Sequence, residues 1–293
     1  MLAVLAVSCG RHAEEAWSVP ELPSLSLAEG LAPDEAGTGR LTLRRASSDG
    51  TGRAYAVRLE HEVRMRGRGQ APLAVALEEE FDLAEAESGT GNGGAAVEWT
   101  VRSPEVNVDP AREETKSLLE RDLARVTLRR PLTGTGVGPG EPADGAAREV
   151  GESMDRLLAV LPGREVAPGD TWPMRTSSAR LPGNGAAAAE RTGTVRFEGV
   201  VTQDEAGYAL LLAEWDVAIR GEGVLANQPG RVLEGSGRGR AAWLVEPSTG
   251  LTVRAEAVEA THVRAEVGKN GRAQVLEQVA TLRSELARKE VDE

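Results

Sequence analysis

Residues 54–66 read Ala-Tyr-Ala-Val-Arg-Leu-Glu-His-Glu-Val-Arg-Met-Arg, and along this stretch bulky side chains alternate with charged ones. One side carries Tyr55, Val57, Leu59, His61, Val63 and Met65, and the other carries Arg58, Glu60, Glu62, Arg64 and Arg66. A period of two over this length predicts a long β-strand with one face buried and the other face in water.

The same alternation recurs on both sides of this stretch and predicts a series of consecutive strands. The repeats lie near residues 73–83, 97–101, 195–201, 211–219, 241–245 and 251–253. Turn-forming residues separate the strands: Ser47–Gly50 follows a short strand at 41–45, Pro247–Gly250 is a tight turn, and Asn270-Gly271 is a hairpin signal. Residues 272–288 fit a strand or a helix, and the preceding Asn-Gly turn favours a strand that ends helically.

Two segments change to a helical period. In residues 111–126, Leu118, Leu119, Leu123 and Val126 share one face, and in residues 146–161 the stripe contains Val150, Met154, Leu157, Leu158 and Leu161. Residues 131–145 are predicted to be a Gly/Pro loop, and residues 162–173 a turn-rich connection. The pattern predicts an α+β fold, predominantly antiparallel β, with two meandering curved sheets or half-barrels and two central helices.

One-sided strands must cover their apolar faces. About nine strands at roughly 4.8 Å spacing give a sheet about 40 Å wide, and two helices about 10 Å across cover about half of it. Three covers remain open for the rest: the other half-sheet, a partner, or an apolar ligand in a groove.

The N-terminus contains the apolar stretch Leu2–Val7, then Ser8, Cys9 and Gly10, and then a polar segment. Cys9 is the only cysteine of the chain. This arrangement resembles the end of a bacterial lipoprotein signal, although the apolar run is short and lacks a basic start. The resemblance implies that Cys9 carries a lipid, which would hold the protein on a membrane. The sorting residue Gly10 implies an outer-membrane rather than an inner-membrane location.

The predicted organisation follows from these segments. Residues 1–9 are the remnant of a lipoprotein signal and 10–37 a flexible tether, with a short ordered piece at 25–31. Residues 38–161 form an N-terminal β half with two helices, 162–288 a C-terminal antiparallel β half, and 289–293 a tail.

Composition excludes several function classes. The chain has 46 Asp and Glu against 34 Lys and Arg, so no basic face for nucleic acid is expected. One cysteine and three scattered histidines argue against a metal centre, and no cofactor is predicted. The glycine-rich stretches at 134–138 and 235–239 lack the strand before and the helix after that a phosphate loop needs.

Candidate catalytic residues are few. His61 lies on an apolar strand face and is expected to be a buried, hydrogen-bonded imidazole, and alternation turns Glu79 inward. A polar cleft that gathers Glu79, His61 and arginines would favour an enzyme, whereas their dispersal would count against one. Trp99, Trp215 and Trp243 are predicted core residues.

The stretch Leu161-Pro-Gly-Arg-Glu-Val-Ala-Pro-Gly-Asp-Thr-Trp-Pro173 and the later Trp243-Leu-Val-Glu-Pro-Ser-Thr-Gly-Leu251 are the most distinctive motifs of the chain. They resemble a group of bacterial secreted proteins and lipoproteins of unknown function, marked by a Pro-Gly-Asp-x-Trp turn and a late Thr-Gly hairpin. The resemblance covers mainly residues 155–285 and implies no activity. Gly169 and Asp170 suit a tight turn, and Trp172 suits an anchor packed under it.

The sequence therefore favours a non-enzymatic envelope lipoprotein that acts as a binding or interaction module. The alternatives are a carrier of lipid or another apolar ligand in a groove on the β face and, less favoured, a hydrolase-type enzyme. The expected partners are the membrane, through the lipid on Cys9, and an apolar ligand or an envelope protein.

Overall fold

The computed structural model describes residues 17–29, 31, 39–46, 52–67, 71–88, 95–109, 113–138, 145–178, 188–221, 224–225, 228–269 and 272–289. These residues form fourteen strands and two helices: β1 (Leu41–Leu43), β2 (Arg53–Gly67), β3 (Leu73–Ser88), β4 (Ala96–Asp109), α1 (Glu113–Leu123), β5 (Thr127–Thr133), β6 (Gly136–Val137), α2 (Ala146–Leu157), β7 (Arg164–Val166), β8 (Thr171–Ser178), β9 (Ala188–Gln203), β10 (Ala206–Gly221), β11 (Val224–Leu225), β12 (Gln228–Glu246), β13 (Leu251–Lys269) and β14 (Arg272–Arg288). Neither helix in this part of the chain is long and apolar enough to cross a bilayer.

One large antiparallel sheet dominates the fold. Its strands follow the order β6-β5-β4-β3-β2-β14-β13-β12-β10-β9-β8, with β11 paired to β12. β1 and β7 form a separate two-stranded sheet. The last strand, β14, pairs with the first long one, β2, so the two predicted β halves are joined edge to edge in one sheet. Within the described residues β6 and β8 remain unpaired with each other, and the sheet is not closed into a barrel.

The sheet curls around helix α2. Asp155 of α2 forms an ion pair with Arg130 of β5, and the next residue, Arg156, accepts a hydrogen bond on its carbonyl from Trp243 Nε1 of β12 at 3.1 Å. Five strands separate β5 from β12, so in a flat sheet they would lie about 29 Å apart. A helix is only about 10 Å across, so the sheet must bend to bring both strands to it.

The main core lies between the curled sheet and the helices. Its largest fully buried side chains include Tyr55, Trp99, Phe197 and Trp243 from the sheet and Met154 from α2. The apolar stripe of α2 packs in this core, yet its polar residues Ser153 and Arg156 are buried as well. The curl therefore encloses α2 on both of its faces, and its polar side chains must find partners in the interior.

The outer face of the sheet carries a second, smaller core, which is covered by residues 17–29, the outer segment. Leu25 and Leu27 are buried there against outward-facing side chains of β9, β10, β12 and β13: Val201, Leu210, Ala242, Leu244, Val253 and Val258. Trp17 stacks on the guanidinium of Arg66 at 4.8 Å. This part of the predicted tether thus lies against the sheet, because these strands are apolar on both faces at this point.

Several predicted elements are confirmed. The structure is mostly antiparallel β with two helices, and the helices at 113–123 and 146–157 fall inside the predicted segments. The Pro247–Gly250 turn joins β12 to β13. The ambiguous 272–288 segment is a strand along its whole length. Residues 47–51 and 270–271, which contain two other predicted turns, lie outside the described residues.

Two predictions about shorter elements are wrong. Part of the predicted 131–145 loop belongs to the β5–β6 hairpin, whose sequence lacks a clean alternation because Arg129, Arg130 and Pro131 follow one another. The turn-rich 162–173 stretch contains β7 and the start of β8. The predicted short strand at 41–45 is present as β1, which pairs with β7 in register Leu41–Val166. Edge strands this short depend on their partners rather than on their own periodicity.

Candidate functional site

A buried ion pair between Arg191 of β9 and Glu259 of β13 lies at the centre of the inner face. Arg191 Nε donates to Glu259 Oε2 at 2.6 Å and Arg191 Nη2 donates to Oε1 at 2.9 Å, while Trp215 Nε1 also donates to Oε2 at 2.9 Å. Burial alone would raise the pKa of Glu259, but the charge and hydrogen bonds of Arg191 outweigh it and hold the pKa at about 2. This carboxylate is therefore ionised and fully paired.

Glycines make the long reach of this pair possible. Strands β10 and β12 lie between the two charged residues, and in that register Trp215 of β10 faces Gly239 of β12. A Cβ atom at Gly239 would lie 2.3 Å from Trp215 Cε2. The missing side chain lets the indole lie flat across β12 toward Glu259.

Arg156 brings a second guanidinium to this cluster from α2. Its side chain is 5% exposed, its Nη2 donates to Ser153 Oγ at 3.1 Å, and its Nη1 lies 3.9 Å from Glu259 Oε1. Its Nε has no hydrogen-bond partner in the described part of the chain. Burial lowers the pKa of Arg156, although Glu259 counteracts this shift.

Glu79 of β3 and His61 of β2 form the other half of the polar interior. Glu79 Oε2 lies 3.8 Å from His61 Nε2, and neither atom has a hydrogen-bond partner among the described residues. Burial, with a contribution from Glu149, raises the pKa of Glu79 to about 8. Burial, with a contribution from Arg156, lowers the pKa of His61 to about 4. Near neutral pH the pair is therefore a protonated carboxyl beside a neutral imidazole.

These groups define the interior polar belt, which runs across the inner face of the sheet and the polar face of α2. Its members are His61, Glu79, Glu149, Glu152, Ser153, Arg156, Arg191 and Glu259. Burial raises the pKa of Glu149 and of Glu152 as well. The belt thus holds two guanidiniums, one firmly ionised carboxylate and three carboxyls whose burial favours the neutral form.

The structure brings Glu79 within 3.8 Å of His61, and Arg156 lies near enough to His61 to contribute to its lowered pKa, but Glu79 and Arg156 are buried rather than gathered in an open cleft. Glu79 points inward as predicted, but the hydrogen bond expected for His61 is absent among the described residues. Near neutral pH the protonated carboxyl offers one O–H donor and a carbonyl acceptor, and the neutral imidazole offers one N–H donor and one nitrogen acceptor. Such a pair is suited to hydrogen bonding with a ligand.

Sequence reasoning missed Arg156, Arg191 and Glu259. A signal was present for two of them: Glu259 shares a period of two with Ala255, Ala257 and Val263, and Arg191 precedes Gly193, Val195 and Phe197 at the same spacing. A charged residue in the buried phase of a strand needs an interior partner. No comparable signal marked Arg156, because a helix shows a polar face whether it is buried or solvated.

Beyond the belt, the inner face of β3, β2 and β14 is mostly apolar and only partly covered, and its one polar residue among the described ones is Gln278 of β14, opposite Met65. We call the apolar side chains of this face the inner strip: Val63, Met65, Leu73, Val75, Leu77, Leu276, Ala280 and Leu282. Inner residues at corresponding levels of β10 and β13 are buried, as Val217, Ile219 and Val263 are at most 5% exposed. Within the part of the chain that the structure describes, the inner strip is thus a continuous apolar area of the interior that stays partly accessible.

A second ion-pair cluster fixes the loop after β1. Arg45 and Arg53 each contact both Glu85 and Glu87 at 2.8 to 3.1 Å, and Trp99 Nε1 donates to Glu85 Oε2 at 2.9 Å. Trp99, Trp215 and Trp243 are buried, as predicted. This cluster has matched charges and satisfied carboxylates, so it has a structural role.

The Pro-Gly-Asp-x-Trp turn lies at the start of β8. Gly169 has φ +89°, and Asp170 Oδ2 accepts from the Ala167 N–H at 2.9 Å while the Asp170 N–H donates to Ala167 O. Trp172 is 6% exposed and donates from Nε1 to Val160 O at 2.8 Å, which ties β8 to the segment after α2. Cys9, the predicted lipidation site, lies outside the described residues.

The outer face has a groove of about 520 Å³ between the outer segment and strands β2, β3, β4, β13 and β14. It is lined by charges of both signs, among them Arg58, Glu80, Asp82 and Glu256. Among the described residues, no three His, Cys, Asp or Glu side chains are grouped so that they could hold a metal ion.

Comparisons with known proteins identify no relative. No protein-family model matches the chain, and no curated protein matches it. Pseudomonas aeruginosa OpdQ is similar at 8% identity and TM-score 0.18, over 83% of this chain and 100% of that one. P. aeruginosa OccK7 (OpdD) is similar at 9% identity and TM-score 0.19, over 83% of this chain and 100% of that one. The translocator domain of autotransporter NalP from Neisseria meningitidis is similar at 8% identity and TM-score 0.16, over 80% of this chain and 88% of that one. TM-scores this low establish no common fold and carry no argument about function.

Proposed function

We propose that this protein is a non-enzymatic binding protein of the bacterial cell envelope that holds an apolar ligand on the inner strip. The observation that carries the proposal is the uneven cover of the interior. Helix α2 buries the inner face near the belt, whereas the aliphatic side chains farther along β2, β3 and β14 stay partly exposed. Apolar side chains on the concave side of a curled sheet are typical of a site for an apolar ligand.

A carrier role is favoured over a protein-docking role by the position of the strip. Its neighbours on the outer side of the same strands, such as Glu62, Arg64 and Ala74, are exposed and mostly charged or small. Apart from Val275 and Val279, which are partly exposed on the outer side of β14, the bulky aliphatic side chains of these strands face the inside of the curl, where a slender ligand fits better than a folded partner.

The envelope location rests on the sequence around Cys9, since a lipid on this residue would anchor the body to a membrane. To test the anchor, the gene is expressed with its upstream codons in a bacterial host fed with labelled palmitate. We expect label in the wild-type chain and none in a Cys9→Ser variant. Equal labelling of both chains would refute the anchor without affecting the binding proposal.

Ligand binding is tested with the full chain in two ways. Native mass spectrometry of protein purified from a bacterial host is expected to show an added mass that organic solvent removes. Fluorescence of the neutral probe N-phenyl-1-naphthylamine should rise on binding. The affinity of the protein for the probe should fall about tenfold in Val75→Asp, because the new carboxylate enters the apolar strip.

Ala74→Asp is the matched control, because it places the same carboxylate on the adjacent, outward-facing position of β3. This variant should bind the probe like the wild type, and circular dichroism checks that both variants fold. A ligand-free mass together with equal probe binding by the wild type and Val75→Asp would contradict the proposal. If Val75→Asp does not fold, the mass measurement decides.

A further inference from the structure

The interior polar belt has a fixed positive charge without a full partner. Glu259 is engaged by both side-chain hydrogen bonds of Arg191, so Arg156 is left with Ser153 and a 3.9 Å approach to the same carboxylate. Its Nε has no partner among the described residues, although the side chain is only 5% exposed. An arginine stays protonated at any ordinary pH, so Arg156 keeps its positive charge in the interior although it lacks a full counter-charge.

The nearby carboxyls differ from Arg156 in this respect. Glu79 is buried and Glu149 and Glu152 are partly buried, and this burial raises the pKa of each, that of Glu79 to about 8. Glu79, whose pKa is about 8 and whose Oε2 is unpaired among the described residues, is neutral near pH 7, whereas Arg156, Arg191 and Arg148 counteract the effect of burial on the pKa of Glu152. The charge that cannot be discharged inside the belt is therefore the positive one.

The belt and the inner strip adjoin each other on β2. His61 belongs to the belt, its side chain is 21% exposed, and its Nε2 is unpaired among the described residues. Val63 and Met65 of the inner strip follow it on the same face. From His61 to Gly67 the strand extends about 20 Å, so the strip can take an extended chain of that length whose polar end reaches the belt.

We infer that the ligand of the inner strip is an anionic single-chain amphiphile with a long-chain carboxylate as its simplest form. Its head group pairs with Arg156 and accepts a hydrogen bond from Glu79, and its alkyl chain lies along Val63, Met65 and Val75. The inference rests on the proposed function and adds the chemical class of the ligand. A carboxylate satisfies the buried guanidinium through a charge-assisted hydrogen bond, and the chain covers the exposed apolar side chains.

The test compares three ligands that share a twelve-carbon chain and differ in head group: laurate, 1-dodecanol and dodecyltrimethylammonium. Each displaces N-phenyl-1-naphthylamine from the full-length protein at concentrations below micelle formation, while circular dichroism monitors the fold. We expect laurate to bind roughly tenfold more tightly than dodecanol, the effect of one charge-assisted hydrogen bond, and the ammonium to bind weakest. In Arg156→Gln the ratio between laurate and dodecanol should fall to about one.

Arg58→Gln is the control, because Arg58 lies on the outer face in ion pairs with Glu60 and Glu78 and should keep the laurate preference. Equal binding of laurate and dodecanol by the wild type would overturn the inference while leaving the proposed function intact. Preference for the ammonium would overturn it in favour of the buried carboxyls as the head-group site. Absence of binding by the probe and all three ligands would refute the proposed function itself. If Arg156→Gln does not fold, the wild-type series decides.

Discussion

Arg191 and Glu259 form a two-hydrogen-bond ion pair although two strands, β10 and β12, separate them in the sheet. Three strand spacings amount to about 14 Å in a flat sheet, and the two long side chains close this distance over the glycine-lined centre of β12. The pair thus stiffens the curl at the level where Arg156 of α2 approaches it. Loss of this ion pair is therefore expected to loosen the curl of the sheet and change the shape of the interior.

Gly239→Ala is expected to destabilise the fold by about 2 kcal/mol or more, because the added Cβ would meet the Trp215 ring at 2.3 Å and displace its Nε1 from Glu259. Urea unfolding followed by tryptophan fluorescence measures the change. Gly39→Ala is the control, since a Cβ there has no neighbour within 4 Å. An unchanged unfolding midpoint in Gly239→Ala would show that Trp215 does not need the space over β12.

Removing one partner of the buried pair should cost more than removing both. Arg191→Met leaves the Glu259 carboxylate without its main partner, and we expect a loss of about 3–5 kcal/mol. The double variant Arg191→Met, Glu259→Gln should recover part of this loss, because no unpaired carboxylate remains. Denaturant unfolding of the wild type, Arg191→Met, Glu259→Gln and the double variant at neutral pH measures the coupling free energy between the two side chains. Additive losses would contradict a direct interaction.

The same pair predicts an acid-sensitive contribution to stability. The folded-state pKa of Glu259 is about 2, below the ordinary value of 4.5, so the folded chain binds this proton less tightly than the unfolded chain does. The stabilisation is complete above about pH 4.5 and is lost as the pH falls toward 2. Glu259→Gln should abolish this component when unfolding is measured at pH 5 and pH 3, whereas Glu214→Gln, on the exposed side of β10, should not.

The sequence reveals strands readily and their curvature poorly. Alternation in residues 54–66 located β2 to within one residue at each end, because a half-buried strand sorts its side chains by face. Nothing local to β5 or β12 indicates that both reach α2, since that contact depends on the bend accumulated over five intervening strands. The prediction that two helices cover about half of the sheet assumed a flat sheet. The curled sheet instead surrounds helix α2, so less of its inner face is left uncovered.

The polar interior was accessible to prediction only in part. Alternation correctly turned Glu79 inward and placed Trp215 and Trp243 in the core. The partners of Glu79 could not be derived from the sequence. His61 occupies the diagonal position on the neighbouring strand β2, and Glu149 approaches from a helix about seventy residues later in the chain. Contacts of this kind are fixed by register and by helix docking, which a single sequence does not encode locally.

Glu79 should make the protein less stable as the pH rises. Its folded-state pKa of about 8 lies above the ordinary value of 4.5, so between these values the folded chain holds a proton that the unfolded chain has lost. Stability therefore falls by up to about 1.4 kcal/mol for each pH unit in this window. His61, whose pKa of about 4 lies below 6.5, opposes this slope only between about pH 4 and 6.5.

The window from pH 6.5 to 8 therefore isolates the carboxyl. Urea unfolding there should show Glu79→Gln gaining stability over the wild type as the pH increases, because the amide never has to ionise. Glu149 and Glu152 contribute slopes of the same sign in both proteins, so the difference reports on Glu79. Glu80→Gln, on the outer face, should follow the wild-type curve. A pH-independent difference between Glu79→Gln and the wild type would contradict the raised pKa.

The outer segment should detach when Glu256 is removed. Glu256 Oε2 accepts from the Leu27 N–H at 2.8 Å and from Ser26 Oγ at 3.0 Å, while Arg240 donates to the Leu22 carbonyl at 2.9 Å. Glu256→Ala leaves the Leu27 N–H without its partner, and two such hydrogen bonds to a charged group contribute about 3 kcal/mol. We expect faster hydrogen exchange at residues 24–28, with unchanged protection of β12 at Trp243. Glu214→Ala, outward on β10, should leave the exchange of the outer segment unaltered. Equal exchange in Glu256→Ala and the wild type would mean that burial of Leu25 and Leu27 alone holds the segment on the sheet.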